Sequence, residues 1–332
     1  MLYAGLDLHK NFSQVIICRE DGCKVKDGRI CSTREEISKF FSGFKEPLKI
    51  AIEATTACEW VFDLLEEQGY EVVLAHPLKT RWIAESKIKT DKIDAKILAH
   101  LLRTDLLPTA YMPAKEIRDL RWLVRRRIFL GRFSGKLKNR IYAELIRRGI
   151  KYEVKKIFAR KYKSWLQILN IPAINSYLSM LESIEEQIKK LDWEIREAGK
   201  KYEEVRIIDS IPGIGPYGAL IIFSVIGQIE RFRDEEKLFS YGGLVSSVSQ
   251  SGDSRYYGRI TKQGSNELRW MLVEAARAHI NWAIANGIET KISRYYWKLR
   301  RKKSENKAIM GATRKMLQAI YWMLKNKEEY RS

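Results

Sequence analysis

Short alternating runs of apolar and polar positions fill the first third of the chain. Residues 2–8 (LYAGLDL), 13–18 (SQVIIC) and 24–31 (KVKDGRIC) predict three strands, joined by turns at Lys10-Asn11 and Asp21-Gly22. A helix is expected over 33–42, a strand over 48–53, an amphipathic helix over about 57–68 and a strand over 71–74. The period then changes. From 113 to 201 the chain is almost entirely helix-compatible, with Gly131, Gly135, Gly149, Pro172 and Gly199 as its few breakers. Within that stretch Tyr177, Leu181, Ile184, Ile188, Leu191 and Ile195 recur at three- or four-residue spacing among charged residues. That is the pattern of a coiled-coil seam, or of a helix packed on its own domain. Residues 203–282 have a third texture: glycine-rich turns, a serine-rich loop and a final helix.

These textures predict an α/β N-terminal domain over 1–112, a basic helical and coiled-coil region over 113–202, and a mainly α C-terminal domain over 203–332. Three strands followed by alternating helix and strand is the ribonuclease-H-like order, which other mixed α/β folds share in part.

Four acids interrupt this pattern. Strand alternation puts Tyr3, Gly5 and Asp7 on one face and Leu2, Ala4, Leu6 and Leu8 on the other. A carboxylate in so apolar a strand costs several kcal/mol unless a cation, a partner or water compensates it. Glu53 closes the strand LKIAIE in the same way, and Asp91 and Asp94 of TDKIDAKILAH lie three apart at an expected helix start, on one helical face. Singly, each acid has a structural explanation, Asp91 as a helix cap and Asp94 as part of a solvated face. As a set of hard oxygen donors they suit Mg²⁺ or Mn²⁺, and two such ions about 4 Å apart serve phosphodiester chemistry.

Ile211-Pro212-Gly213-Ile214-Gly215-Pro216 joins a segment carrying Val205 and Ile208 to the apolar run after Ala219, a helix-hairpin-helix pattern. Gly213 and Gly215 are expected to expose backbone N–H groups to a phosphate; a plain helical hairpin is the alternative. Beyond it, Ser246, Ser247, Ser249, Ser251 and Ser254 precede Arg255, Arg259, Lys262 and Arg269. A hydroxyl among phosphate-binding cations is a candidate nucleophile if something activates it. Spacing alone does not choose among the serines, a flexible polar loop explains them equally, and no Ser-His-Asp arrangement is evident.

Charge narrows the partners. The 332 residues carry 61 Lys and Arg against 41 Asp and Glu, a net charge of +20, which favours a polyanion. Residues 115–163 hold 18 basic and 4 acidic side chains, and residues 291–332 hold 13 and 3, so the remainder is slightly acidic. Arg125, Arg126 and Arg127 beside Trp122, Phe129 and Phe133 are therefore expected nucleic-acid contacts. The longest apolar run, 217–227, is too short to span a bilayer, and the N-terminus has no secretory-signal pattern, so a cytoplasmic protein is expected. Cys18, Cys23, Cys31 and Cys58 form no C-x-x-C pair and the four histidines are scattered, so small buried thiols are expected and a structural zinc is not.

Five segments together resemble one family, the DEDD-type transposases of bacterial insertion sequences, group one-ten, or bridge-RNA-guided recombinases. They are GLDLHK (5–10), IEAT (52–55), KTDKIDAK (89–96), IPGIGP (211–216) and SGDSRYYGRITKQGSNELRWML (251–272). The resemblance implies that Asp7, Glu53, Asp91 and Asp94 form the metal-binding, catalytic tetrad of a RuvC-like domain. It further implies that a serine of the C-terminal transposase domain attacks DNA, and Ser251, directly before the glycine, matches best. The sequence departs from many relatives in carrying Ser246 where they have proline. The same resemblance implies a structured noncoding bridge RNA, and a coiled-coil homodimer assembling to a tetramer whose active sites combine domains of different subunits. Two other functions remain open from the residues: a RuvC-like metal nuclease or junction resolvase without a covalent intermediate, and a non-catalytic nucleic-acid-binding scaffold.

Overall fold

The computed structural model describes residues 1–44, 46–83, 90–152, 157–252 and 254–331, with the side chains of 160–162 also left undescribed. Lys89 and Asp253, within two of the motifs above, lie outside the described residues. The chain divides into two compact units, Met1–Met112 and Pro113–Ser332.

The first unit contains β1 (Leu2–Leu8), β2 (Phe12–Arg19), β3 (Lys24–Cys31), α1 (Arg34–Phe41), β4 (Leu48–Glu53), α2 (Cys58–Glu67), β5 (Glu71–Ala75), α3 (Pro77–Ile83), α4 (Asp91–Arg103) and β6 (Thr109–Ala110). Its sheet order is β3-β2-β1-β4-β5-β6. β1 pairs antiparallel with β2 and parallel with β4, and β4 pairs parallel with β5. This mixed α/β arrangement is compatible with a ribonuclease-H-like domain. Because side chains alternate across a sheet, Leu2, Ala4, Leu6 and Leu8 join Ile50, Ile52 and the apolar sides of α1 and α2 in one core. The opposite face, with Tyr3, Ala51, Val73 and Ala75, receives Leu98 and Leu102 of α4. β3 is polar and largely exposed, as suits an edge strand.

Gly5 sets how closely α4 approaches. A Cβ at that position would stand 2.0 Å from the Ala95 carbonyl oxygen and 2.6 Å from the Ala99 nitrogen. Ala95 and Ala99, four apart and fully buried, give α4 a smooth face there. Helix backbone therefore lies directly on strand backbone, bringing the first turn of α4 towards the end of β1 that carries Asp7.

The second unit contains α5 (Lys115–Arg147), α6 (Arg160–Ile168), α7 (Pro172–Gly199), α8 (Glu203–Asp209), α9 (Pro216–Ile226), α10 (Glu235–Tyr241), β7 (Ser246–Ser251), β8 (Ser254–Ile260), α11 (Asn266–Asn286), α12 (Lys291–Arg300) and α13 (Glu305–Asn326). α9 is buried continuously from Gly218 to Ile226 and forms the centre of the core, as expected of a helix apolar on every side. Gly131 and Gly135 do not break the middle region. Both lie inside the 33-residue α5, where their cost of about 1 kcal/mol each is outweighed by packing of the helix's buried face.

The apolar stripe of α7 is covered from within the chain. Leu181 and Ile184 meet Leu137 of α5, while Ile174 and Leu178 meet Ile141 and Leu145. Of the two readings open for that stripe, these contacts are those of a helix packed within its own unit, antiparallel to α5. One expectation changes. The serine-rich stretch is a two-stranded ribbon rather than a loop, pairing Val248 with Tyr257 and Ser251 with Ser254. In the basic C-terminal segment, Ala308, Ala312, Met316, Leu317 and Ile320 of α13 are fully buried in the core. Of the four thiols, Cys18 and Cys58 are buried whereas Cys23 and Cys31 are exposed, on the short β2–β3 turn and the edge strand; all four are free.

Candidate metal centre and serine ribbon

Asp7 is 4% exposed near the C-terminal end of β1. The parallel register that sets Leu6 beside Ile52 carries on to place Asp7 and Glu53 at the ends of neighbouring strands. Asp91 and Asp94 stand in the first turn of α4, whose start is fixed by Thr90: its Oγ1 accepts the backbone N–H of Ile93 at 3.3 Å. The alternation of β1, extended by two residues, brings His9 to the same face. Its Nε2 lies 3.2 Å from Asp7 Oδ2 and 3.3 Å from Asp91 Oδ1.

Burial pushes the Asp7 carboxyl up to about 6; His9 opposes this, and the charges of Glu53, Asp91 and Asp94 reinforce it. The other three predicted acids therefore all bear on Asp7 electrostatically. Asp7, His9 and Asp91 each offer a donor atom within 4.8 Å of the others. A buried carboxylate facing further acids calls for a cation, and these oxygen donors fit a divalent metal. His9 was missing from the predicted site. The signal was present in the sequence, because i and i+2 share a strand face.

In the second unit the predicted phosphate-binding turn joins α8 to α9. Gly213 has φ +95°, and a Cβ there would stand 2.5 Å from the His279 backbone nitrogen. Its glycine is required for close packing on α11. The adjoining Pro212 carbonyl accepts a hydrogen bond from His279 Nδ1 at 2.7 Å, leaving Nε2 to accept from Thr290 Oγ1 at 2.8 Å. Burial holds the His279 pKa below the usual histidine range, so this fully buried ring is a neutral tie between the turn and α12. Both glycines are exposed, but Gly215, at the N-cap of α9, has open space where a Cβ would stand.

All of β7 is exposed. Ser251 lies at the ribbon's tip beside Gly252, whose φ of +55° suits the tight turn. Ser247 is tied by its Oγ to the Arg259 carbonyl at 3.1 Å. Among the described residues, no acid or histidine is hydrogen-bonded to the Ser251 hydroxyl. Arg255 lies over the Tyr257 ring at 5.0 Å, and Tyr256 and Tyr257 are 73% and 59% exposed. Arg259 and Lys262 are exposed as well. Arg269 is instead turned to the ribbon's base, where it donates to the Gly242 carbonyl at 3.1 Å and bonds Asn266.

The arginine triplet is also engaged within the chain. Arg125 pairs with Glu267 at 2.9 Å, Arg126 with Glu194 at 3.2 Å and Arg127 with Asp192 at 2.7 Å, tying α5 to α11 and α7. Arg126 stays exposed despite its partner, and further exposed cations follow on α5 at Arg132, Lys136 and Arg140, near the stacked rings of Phe129 and Phe133. Among the described residues, no helix is long and apolar enough to cross a membrane.

Two family models match the chain. A DEDD-type IS110 transposase model covers residues 4–147, and the model described as "Transposase IS116/IS110/IS902 family" covers residues 205–292. Among curated proteins, the transposase for insertion sequence element IS1111A of Coxiella burnetii is 24% identical over 98% of this chain and 90% of its own length. The transposase for IS1533 of Leptospira borgpetersenii is 25% identical over 84% of this chain and 85% of its own. A Sinorhizobium fredii protein, y4qE, is 24% identical over 65% of this chain, a match that spans 54% of that protein. The first model runs from β1 through α5, across all four acids, and the second from within α8 through the serine ribbon into α12. With both halves matched in order, the chain belongs to the DEDD-type transposases of the IS116/IS110/IS902 family.

Proposed function

We propose that this protein cuts and rejoins DNA strands during transposition, using a divalent-metal carboxylate centre and a serine nucleophile. The observation that carries the reading is Asp7, a buried carboxyl raised to about 6 with three further acids bearing on it. Such a group is costly in isolation and useful beside a cation. Asp7, Glu53, Asp91 and Asp94 would hold Mg²⁺ or Mn²⁺, which when bound supplies charge stabilisation at the phosphate being cleaved.

Ser251 is the proposed nucleophile. Its Oγ would bond to phosphorus as the bridging P–O bond breaks, the serine proton passing to a base or solvent and the departing sugar oxygen taking one up. The reverse attack by a different sugar hydroxyl would release Ser251 and join the strands. Exposed Arg255, Arg259 and Lys262 would contact DNA phosphates on the ribbon, and the open N-terminus of α9 at Gly215 would add an uncharged contact. Arg125, Arg126, Arg127 and Arg269, already engaged within the chain, and Gly213, packed on α11, would hold that surface in shape. By the same reading a structured noncoding RNA supplies the sequence specificity, and copies of the chain combine as a homodimer or tetramer.

One observation favours a second function: the Ser251 hydroxyl has no base among the described residues, as expected if a metal nuclease of this fold hydrolysed DNA directly. A denaturing gel separates the two. Strand transfer through Ser251 leaves protein covalently attached to cleaved DNA, whereas hydrolysis leaves free ends only.

A further inference from the structure

We propose that His9 is a nitrogen ligand of the metal centre and makes this site selective for Mn²⁺ over Mg²⁺. The inference rests on the metal-dependent reading above and adds to the four acids a residue of different chemistry.

The argument begins with one ring nitrogen facing two carboxylates. His9 Nε2 stands 3.2 Å from Asp7 Oδ2 and 3.3 Å from Asp91 Oδ1. A neutral imidazole has at most one proton on that nitrogen and serves one acceptor well; with the proton on Nδ1, its lone pair would face two anionic oxygens. A shared cation reconciles the three donors. Their spacing suits a metal ion in particular, because neighbouring ligands in an octahedral shell with bonds of about 2.1–2.3 Å lie about 3.0–3.3 Å apart.

The ring is also held in place without the metal. The His9 backbone N–H bonds the Phe12 carbonyl at 3.0 Å, and the His9 carbonyl accepts from Ser32 Oγ at 2.8 Å. Phe12 lies against the imidazole with ring centroids 4.8 Å apart, and the Arg29 guanidinium covers Phe12 at 3.7 Å. The turn between β1 and β2 thus presents the imidazole to the acids, and the side chain keeps 43% of its surface open for an ion to enter.

Nitrogen donation has a chemical consequence. Mg²⁺ prefers oxygen ligands, while imidazole is a good ligand for transition metals. An all-carboxylate centre distinguishes Mn²⁺ from Mg²⁺ weakly; one containing His9 favours Mn²⁺.

The test uses the full-length, metal-free protein at pH 8, where an ordinary imidazole is neutral, with Mn²⁺ alone added below one equivalent. Electron spin-echo spectroscopy should show ¹⁴N modulation from a coordinated imidazole, altered on ¹⁵N-histidine labelling of the unmodified protein. In His9→Gln the modulation should vanish while Mn²⁺ still binds. By calorimetry, Mn²⁺ affinity should fall about tenfold or more in that variant and Mg²⁺ affinity less than about threefold. Mn²⁺ bound without nitrogen modulation, modulation that persists in His9→Gln, or equal losses for the two metals would overturn the role of His9 and leave the carboxylate centre standing. No Mn²⁺ binding by the unmodified protein would overturn both. The labelling experiment needs no substitution, so absence of a ¹⁵N effect would overturn the role of His9 even if His9→Gln fails to fold; a positive effect is assigned to His9 as the histidine that, among the described residues, groups with Asp7 and Asp91.

Discussion

The carboxylate centre and the serine ribbon are built in opposite ways. The first is fixed from all sides: β1 is buried on both faces, its register with β4 aligns Asp7 and Glu53, and Gly5 lets α4 settle directly on the strand. The second is a two-stranded ribbon whose β7 is exposed along its whole length, anchored at its base and carrying Ser251 at its tip. An isolated two-stranded ribbon has little stability of its own. The acids are therefore pre-organised by folding, whereas the proposed nucleophile stands on a ribbon that its own pairing holds only weakly.

The sharpest way to break this contrast is to remove one side chain from each half. Asp7→Ala should lower strand exchange more than about a hundredfold and abolish tight divalent-metal binding. Ser251→Ala should abolish the covalent DNA adduct while leaving metal binding unchanged by calorimetry, and Ser249→Ala should retain the adduct. Full recombination by Ser251→Ala would remove that serine from the mechanism.

Next in size is the packing that creates the centre. Gly5→Val should destabilise the first unit by about 3 kcal/mol in denaturant titrations, since the neighbours it would strike are α4 backbone atoms. It should weaken metal binding too, by moving Asp91 and Asp94. Near-normal stability would mean that α4 can lift from β1 freely, and the rigidity claimed for this half would be lost.

The pH dependence probes the same half more gently. With its folded pKa raised from 3.8 to about 6, Asp7 contributes stability while it is protonated; that contribution is complete below about pH 4 and lost as pH rises through 6. In metal-free protein the loss by pH 8 should approach 3 kcal/mol, at about 1.4 kcal/mol per unit. Asp7→Asn removes the dependence, so the metal-free variant should be more stable than the parent at pH 8 and nearly equal to it at pH 4. A parent protein whose metal-free stability is flat over this range would contradict the buried, uncompensated carboxylate.

How much of each half could be read in advance follows the same division. Strand alternation singles out Asp7, helical spacing pairs Asp91 with Asp94, and the sheet brings Asp7 and Asp91 together with His9. His9 obeyed the same alternation but lay beyond the apolar run that drew attention to β1. The second unit was harder because its decisive contacts are long-range. Nothing local in Arg125-Arg126-Arg127 discloses partners at Glu267, Glu194 and Asp192. Gly213 suggested phosphate binding, yet its nearest constraint is α11, more than sixty residues later. The serine stretch reads as a loop because its polar residues mask a pairing in which Val248 faces Tyr257. The α7 stripe truly predicted a helical partner, but periodicity cannot say whether that partner belongs to the same chain.

The smallest effects separate cations that hold the second unit together from those proposed to bind DNA. Arg126 and Glu194 keep 62% and 45% of their side-chain surface exposed, so Arg126→Ala should cost no more than about 1 kcal/mol of stability. If its guanidinium is occupied by Glu194 in the complex as well, the salt dependence of DNA binding should not change. Among the described residues Arg255 has no such acid, and it lies over Tyr257 on the exposed ribbon. Arg255→Ala should leave stability unaltered and reduce the slope of log binding constant against log salt by about one, the signature of a lost phosphate contact. Measuring both variants on the same duplex makes the comparison internal: if the slope changes for Arg126 and not for Arg255, the DNA surface lies on the helical hairpin rather than on the ribbon.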